Sequence, residues 1–395
     1  VSPLHVAVDR RNQTFALACV GACDAGDRLF TRIDSRGNVI FSKELTPKRS
    51  VARLDLMALS KDGRVGLAGD RVAPDGTTQL TVAVFRRDGR LEWQAHDRAS
   101  AHALDATFDT QGELVVVGAA SGGGGLAVAF GPNPHRRIEW RFAAPDGSFE
   151  RVRADAHGAL SIAGNVGASN GAVQGKMWRL HRRGRLAWTY TSPETNVRFA
   201  TPGVALAVDG DGNSALVSLR SGPSTSEGET VLRFVTTLLD AQGSVRWVSE
   251  VFSGVNRPGL LDAAFSSCGD ITEFGRRQGS ARIGGDFKTV RFDDSGGLLW
   301  DIEDDFDFPE TQPAAMAIGT DDTIAEVGTV FEHLDQRPGT GWIAVYGNDG
   351  TLLSARAAPS VLVDVARDSA DGIVTIGQDG SSTVVSRETE SGTPH

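Results

Sequence analysis

The stretch DIEDDFDFPETQP, Asp301–Pro313, sets Asp301, Glu303, Asp304, Asp305 and Asp307 around two phenylalanines. Clustered carboxylate oxygens are the ligands that a hard cation such as calcium takes. The spacing matches no calcium loop, and a solvated acidic connector uses the same residues, so no metal is assigned to it. DGDGN, Asp209–Asn213, has the composition of part of a calcium loop but falls where a turn recurs along the chain. His96, Asp97 and His102 in HDRASAH lie in a predicted loop; their spacing is not that of a helical zinc pair, and no third ligand can be named. His333, near Glu332 and Asp335, has the chemistry of an acid or base in a lyase or hydrolase. With 8 histidines and 50 acids in the chain, such neighbours also arise by chance. Arg276 and Arg277 open a further long polar loop, RRQGSARIGGD. There is no P-loop or dinucleotide fingerprint, and the residues call for no cofactor.

Basic turns are a second candidate. Arg86, Arg87 and Arg90, then His135, Arg136 and Arg137, then Arg182, Arg183 and Arg185 occupy equivalent turns of successive repeats. Lined up, they form a cationic arc able to meet polysaccharide, lipid headgroups or an acidic protein. Long charged side chains at hairpin ends also protect strand edges, and that plainer reading is preferred. The net charge of −10 over 395 residues argues against nucleic acid as partner. No apolar run approaches the length of a membrane span. Cys19 and Cys23 form CVGAC; four extended residues carry their Cα atoms about 13 Å apart, and Gly21 lets the chain fold back towards the roughly 4.4–6.8 Å of a disulfide. Two unrelated small residues at a strand end are the alternative. A Cys19–Cys23 disulfide implies an oxidising compartment. The chain starts at Val1 rather than Met, as removal of an export signal would leave it and as a boundary within a longer chain would too.

The elements that must position these residues repeat. A unit of roughly 50 residues begins with an apolar strand, a tight polar turn and a second strand ending in a small residue, as in LMALSKDGRVGLAG and ATFDTQGELVVVG. The small residues Ala18, Gly69, Gly118, Gly164, Ser218, Gly275, Gly328 and Gly377 each follow a turn residue by six positions. Because strand side chains alternate with period two, a constant offset keeps the same faces buried in every unit. The second half is a hairpin: glycines 37, 89, 184, 243, 296 and 350 supply the turn, and Phe41, Trp93, Trp188, Trp247, Trp300 or Ser354 follows by four residues. The third unit replaces that turn with PNPHRR and keeps Trp140. An aromatic at one place in each outer strand is expected to pack on the neighbouring unit.

Four antiparallel strands repeated radially predict an all-β, eight-bladed β-propeller. Eight first, second and third strands and seven fourth strands make thirty-one, so the last blade has one strand missing or is completed from the N-terminus. The whole of 1–395 is expected to be one domain, with units starting near 5, 52, 101, 149, 203, 259, 313 and 361. The pattern resembles the bacterial β-propeller repeat families and is similar to SBBP-type repeats. More distantly it resembles the quinoprotein-like propellers, from whose docking motif Asp240…Gly243…Trp247 and Asp293…Gly296…Trp300 depart by a shorter Asp–Gly interval and a missing Thr. In size and blade number the chain resembles periplasmic scaffold lipoproteins of outer-membrane assembly.

The loops joining second to third strands, and one unit to the next, are long and varied, and binding concentrates in such loops. The expectation is a monomeric, non-catalytic bacterial scaffold that binds protein or cell-surface polysaccharide through that face. Its place is extracytoplasmic: periplasm, outer surface or secreted, with or without a lipid anchor before processing. The alternative is a polysaccharide-active lyase or hydrolase with its site in the central funnel; the presence of only two tyrosines, Tyr190 and Tyr346, weighs against a Tyr-based lyase.

Overall fold

The structure, a computed structural model, describes residues 2–20, 27–45, 52–133, 137–167, 173–193, 203–224, 230–255, 259–277, 286–304, 306, 308, 310–331 and 339–388. The described residues form thirty strands. The first sheet runs β1 (Ser2–Val8), β2 (Thr14–Cys19), β3 (Arg28–Ile33), β4 (Val39–Leu45). The second has seven strands: β5 (Ala52–Leu59), β6 (Val65–Val72), β7 (Thr78–Phe85), β8 (Leu91–Phe108), β9 (Leu114–Ala120), β10 (Gly125–Phe130) and β11 (Ile138–Ala144). Two four-stranded sheets follow. One is β12 (Ser148–Ala154), β13 (Leu160–Gly167), β14 (Val173–Leu180), β15 (Leu186–Thr191); the other is β16 (Ala205–Val208), β17 (Ser214–Ser224), β18 (Thr230–Leu239), β19 (Val245–Val255). Two more are β20 (Gly259–Phe265), β21 (Ile271–Arg277), β22 (Asp286–Phe292), β23 (Leu298–Asp304), and β24 (Glu310–Ile318), β25 (Ile324–Phe331), β26 (Thr340–Tyr346), β27 (Leu352–Ala358). The last has three strands, β28 (Val361–Arg367), β29 (Ile373–Asp379) and β30 (Ser382–Glu388).

All neighbouring strands are antiparallel and sequential, as short hairpin turns dictate. Many of the turns are held by an aspartate that caps its own loop. Asp34 Oδ1 accepts from the amides of Arg36 and Asn38 at 2.8 and 2.9 Å, and Asp240 Oδ1 accepts from those of Gln242 and Ser244 at 2.9 Å each. A residue at positive φ closes most of these turns, for example Gly37 at 83° and Gly243 at 88°. In three first-hairpin turns that residue is Asn12, Asp322 or Asp371, at φ 57°, 63° and 58°. Each of these side chains accepts bonds from the preceding unit's turn: Asp322 from Ser267, Asp371 from Thr320, and Asn12 from Ser369 across the ring closure. The exceptions to glycine are therefore bridges between units.

The inner strands β1, β5, β8, β12, β16, β20, β24 and β28 pack one on the next, and β28 returns to β1. Sheets arranged radially about an axis and closed into a ring make a β-propeller. Second strands are buried along most of their length, as in β2 and β25, whereas outer strands such as β4 and β15 are largely exposed. The core thus lies between adjacent sheets; in one such layer Phe149 meets Trp178 edge-on with ring centroids 4.7 Å apart.

HDRASAH is not the predicted loop. It lies within β8, whose first part pairs with β7 (Gln79↔Ser100) and whose second part pairs with β9 (Ala101↔Ala120). The segment has no Gly or Pro to break a strand, so one extended run crosses from unit to unit. The N-terminal strand β1 is the first strand of its own sheet and, among the described residues, does not join the last sheet.

Candidate functional site

The side chains that converge on the axis are placed by a repeated irregularity. Pairing of inner strand to second strand slips by one residue at Pro3/His5, Ala103/Asp105, Phe149/Arg151, Leu260/Asp262, Pro313/Ala315 and Leu362/Asp364. Such a β-bulge bends the strand and re-aims the next side chain. It also explains the recurring small residue. A Cβ on Gly118, Gly164 or Gly377 would run into the inner-strand carbonyl of His102, Ser148 or Val361.

The residues after the slips include His5, Asp105, Arg151, Asp262 and Asp364, each seven positions before its turn residue. Asp105 Oδ1 accepts from the Ala106 amide, while Oδ2 accepts from the Val152 amide of the next unit at 2.9 Å and from Arg153 at 2.6 Å. Asp364 repeats the pattern across the ring closure: Oδ1 accepts from Val365, and Oδ2 from the Val6 amide at 2.9 Å with His5 Nδ1 at 3.3 Å. These carboxylates tie one inner strand to the next. The side chains nonetheless remain open to solvent, His5 at 39% and Asp364 at 21%. They therefore stand as a charged, wetted lining rather than a sealed core.

Burial opposes the imidazolium of His5, but its bond to Asp364 and the charges of Asp364, Asp105 and Asp55 outweigh it and raise the pKa. Burial likewise raises the Asp262 carboxyl, against the pull of Arg153 and Arg151 and with a further push from Asp364. Groups from several units thus act on one another across the axis. Chemically, the ring offers a histidine held by an acid, carboxylates and two arginines. At one end of the molecule, the first turns of four units line a cavity of about 300 Å³ that includes Lys61, Thr110, Asp155 and Asp209.

The residues expected at the long-loop face divide. Asp301 and Glu303 lie on outer strand β23, where Lys288 of β22 pairs with both, at 2.9 Å from Glu303. Arg277 of β21 also pairs with Glu303 and lies 5.3 Å from the Phe252 ring centroid. Asp304 ends β23, accepting from the Phe306 amide at 2.8 Å. Arg276 is on β21 opposite Gly259. Asp305, Asp307 and His333 lie outside the described residues.

Of the basic arc, Arg87 pairs with Asp9 of the first unit, and its carbonyl accepts from Arg32 at 2.9 Å. Arg182 reaches the Gln111 amide oxygen of the preceding unit at 2.6 Å, and Arg137 lies 5.4 Å from the Trp93 ring centroid. Arg86 and Arg183 are exposed, and Arg136 lies outside the described residues. Several of these side chains therefore contact the neighbouring unit. Asp209 is occupied by its own turn, accepting from Asp211 and Asn213. Asp97 turns to Arg141 at 2.7 Å while His102 meets Asp70 at 3.0 Å, so the HDRASAH residues do not converge. Cys19 is disulfide-bonded; Cys23 lies outside the described residues, and Cys268 is free and exposed.

The axial ring was missed in the sequence, although LDAT, LDAA and VDVA at Leu104, Leu261 and Val363 repeat an acid at one offset. Neither a family model nor a curated protein matches the chain. Among solved structures, one described as a eukaryotic initiation factor is similar over 100% of this chain and 86% of its own, with TM-score 0.53 and 10% identity. The WD40 domain of Pan2 from Neurospora crassa covers 97% of this chain and 88% of its own, with TM-score 0.45 and 10% identity. At such identity the likeness concerns the fold alone; the antiparallel sheets and the ring closure of the inner strands make this chain an all-β repeat protein of propeller type.

Proposed function

We propose that the chain is an eight-bladed propeller of the kind seen in bacterial repeat families, acting as a monomeric, non-catalytic scaffold. Splitting β8 between two blades turns the seven-stranded sheet into two four-stranded ones and gives the thirty-one strands expected. The observation that carries the scaffold reading is the use made of the acids. Asp105 and Asp364 hold the next blade's backbone, Asp301 and Glu303 hold Lys288, and Asp209 holds its own turn. These carboxylates are struts, and the rigid ring they build is suited to presenting the long-loop face to a protein or cell-surface polysaccharide. The disulfide at Cys19 supports an exported, extracytoplasmic location.

One observation favours a polysaccharide-active enzyme as a second reading: His5 and Asp364 form a hydrogen-bonded pair open to the axis. A glycan array and protein pull-down on the whole chain, run beside a polysaccharide-cleavage assay, separate the two. Saturable retention without product supports the scaffold. Turnover that is lost in His5→Ala would refute it and establish the enzyme.

A further inference from the structure

The short turns of this chain divide by charge. Turns such as 34–38 and 240–244 share one pattern: the first residue's amide donates to the fifth residue's carbonyl, and the fourth residue's amide to the first's. In units 5–8 the seven turns of that pattern, from 209–213 to 368–372, hold eleven aspartates and no Lys or Arg. In units 1, 2 and 4 the six such turns hold eleven Lys and Arg residues against five aspartates. In unit 3 the described turn, 109–113, contains the buried Asp109 and the half-buried Glu113.

All of these turns lie at one end of the ring. Successive strands alternate in direction, so the turn after a unit's first strand and the turn after its third leave the sheet on the same side. The inner strands pack in chain order and β28 returns to β1, so units 1–4 and units 5–8 form two continuous arcs. The result is one face with a basic half and an acidic half. Much of that charge is uncommitted. Among the described residues the exposed Lys61, Arg86, Arg183 and Arg185 pair with no carboxylate, and the exposed Asp211 and Asp294 pair with no cation.

Beside the charges stands a ring of exposed apolar side chains. Val39, Leu91, Leu186, Val245, Leu298 and Leu352 each lie two residues past a turn glycine, in both halves of the face. An anionic lipid or polysaccharide surface would meet the basic half and be repelled by the aspartates of the other. A basic partner would meet the reverse. A second copy of the chain carries both signs. Turned over about a two-fold axis that lies in the face, passing between units 4 and 5 and between units 8 and 1, it sets unit 4 against unit 5, 3 against 6, 2 against 7 and 1 against 8. Such an isologous contact satisfies both halves at once, and the apolar ring adds the non-polar area that interfaces use.

We propose that the short-turn face is a self-association surface on which two copies of this chain pair, the basic turns of units 1, 2 and 4 opposite the acidic turns of units 8, 7 and 5. Arg183 and Arg185 then face Asp211 and Asp240, and Arg86 and Arg90 face Asp321 and Asp349. Each copy is the complete monomer proposed above. The pairing is a reversible equilibrium between two of them, weakened by salt because the charges are exposed. It leaves both long-loop faces free and pointing in opposite directions, so it stands or falls independently of binding there.

Sedimentation velocity on the whole chain at rising concentration should show a monomer–dimer equilibrium in low salt that shifts to monomer as salt rises. Arg183→Glu and Asp211→Lys should each weaken the dimer about tenfold or more, because like charges then meet twice across the two-fold axis. Both side chains are exposed and hold no turn, so the variants keep the fold. An equimolar mixture of the two should regain the parent's affinity: the reversed charges meet each other, and the second copy of the contact is unaltered. A parent chain that stays monomeric in low salt overturns the proposal. So does a dimer indifferent to salt, or a mixture no tighter than either variant alone. Flotation of a monomeric parent with vesicles of anionic lipid, lost in Arg183→Glu, would give the basic half to a lipid surface and overturn it equally.

Discussion

Glu326 is a fully buried carboxyl whose pKa is pushed up to about 8 by burial and by the nearby charge of Asp304. Thr289 of β22 donates to Oε1 from the neighbouring sheet, and Oε2 has no partner among the described residues. From the ordinary value of 4.5 up to about 8, the folded chain keeps a proton that the unfolded chain releases. Stability therefore falls as pH rises through that window, by about 1.4 kcal/mol per unit, and levels off above it. Between pH 4.5 and 7 the loss is about 3 kcal/mol, an order-of-magnitude figure. Glu326→Gln keeps an oxygen for Thr289 and cannot ionise, so it should lack this slope. Any fixed cost of burying the amide shifts the variant's curve without tilting it. Urea unfolding followed by tryptophan fluorescence at pH 5, 6, 7 and 8 should show the variant gaining on the parent as pH rises. A constant difference across that range would mean that the folded carboxylate is ionised, and would refute the reasoning. Glu273, raised to about 8 in the same way and bonded by Thr236, should add a second slope of the same sign, softened by Lys288.

Three further outcomes follow from the geometry. His5 is raised by Asp364, so its contribution to stability is fully present below its ordinary 6.5 and is lost as pH rises through the raised value; Asp364→Asn should lower the His5 pKa, read by NMR titration of the imidazole. Gly296→Ala puts a methyl 2.7 Å from the Trp247 ring at φ 87° and should cost at least about 1–2 kcal/mol, read as a lower melting temperature. Asp371→Gly restores the residue other turns use while deleting the bond from Thr320, and should cost about 1 kcal/mol; Asp371→Ala should cost more, because it also strains the positive φ of 58°.

Much of the fold was legible because its constraints are local and periodic. A turn that needs positive φ shows itself as glycine, and the aromatic four residues later shows itself by its offset, whatever the neighbouring unit contains. The strand through HDRASAH was not legible, because a loop was expected between units and only the lack of a breaker there signals continuity. The candidate site fared worse for a physical reason. Asp105, Asp262 and Asp364 are ordinary acids in their own strands, and become a ring only when units far apart in sequence close about one axis. Conspicuous clusters misled in the opposite direction: Asp301 and Glu303 look like a free acidic surface in one dimension, but alternation along β23 turns both to the face where Lys288 waits.

The same contrast explains the basic turns. A charge run in sequence reports what one unit carries, whereas its use is set by the unit beside it. Arg87 and Arg182 are conspicuous in FRRDG and HRRGR, yet they reach to Asp9 and Gln111 of the preceding units. In a ring of repeats each unit is completed by its neighbour, so the partner of a charged turn is set by the register between units and not by the unit that carries it.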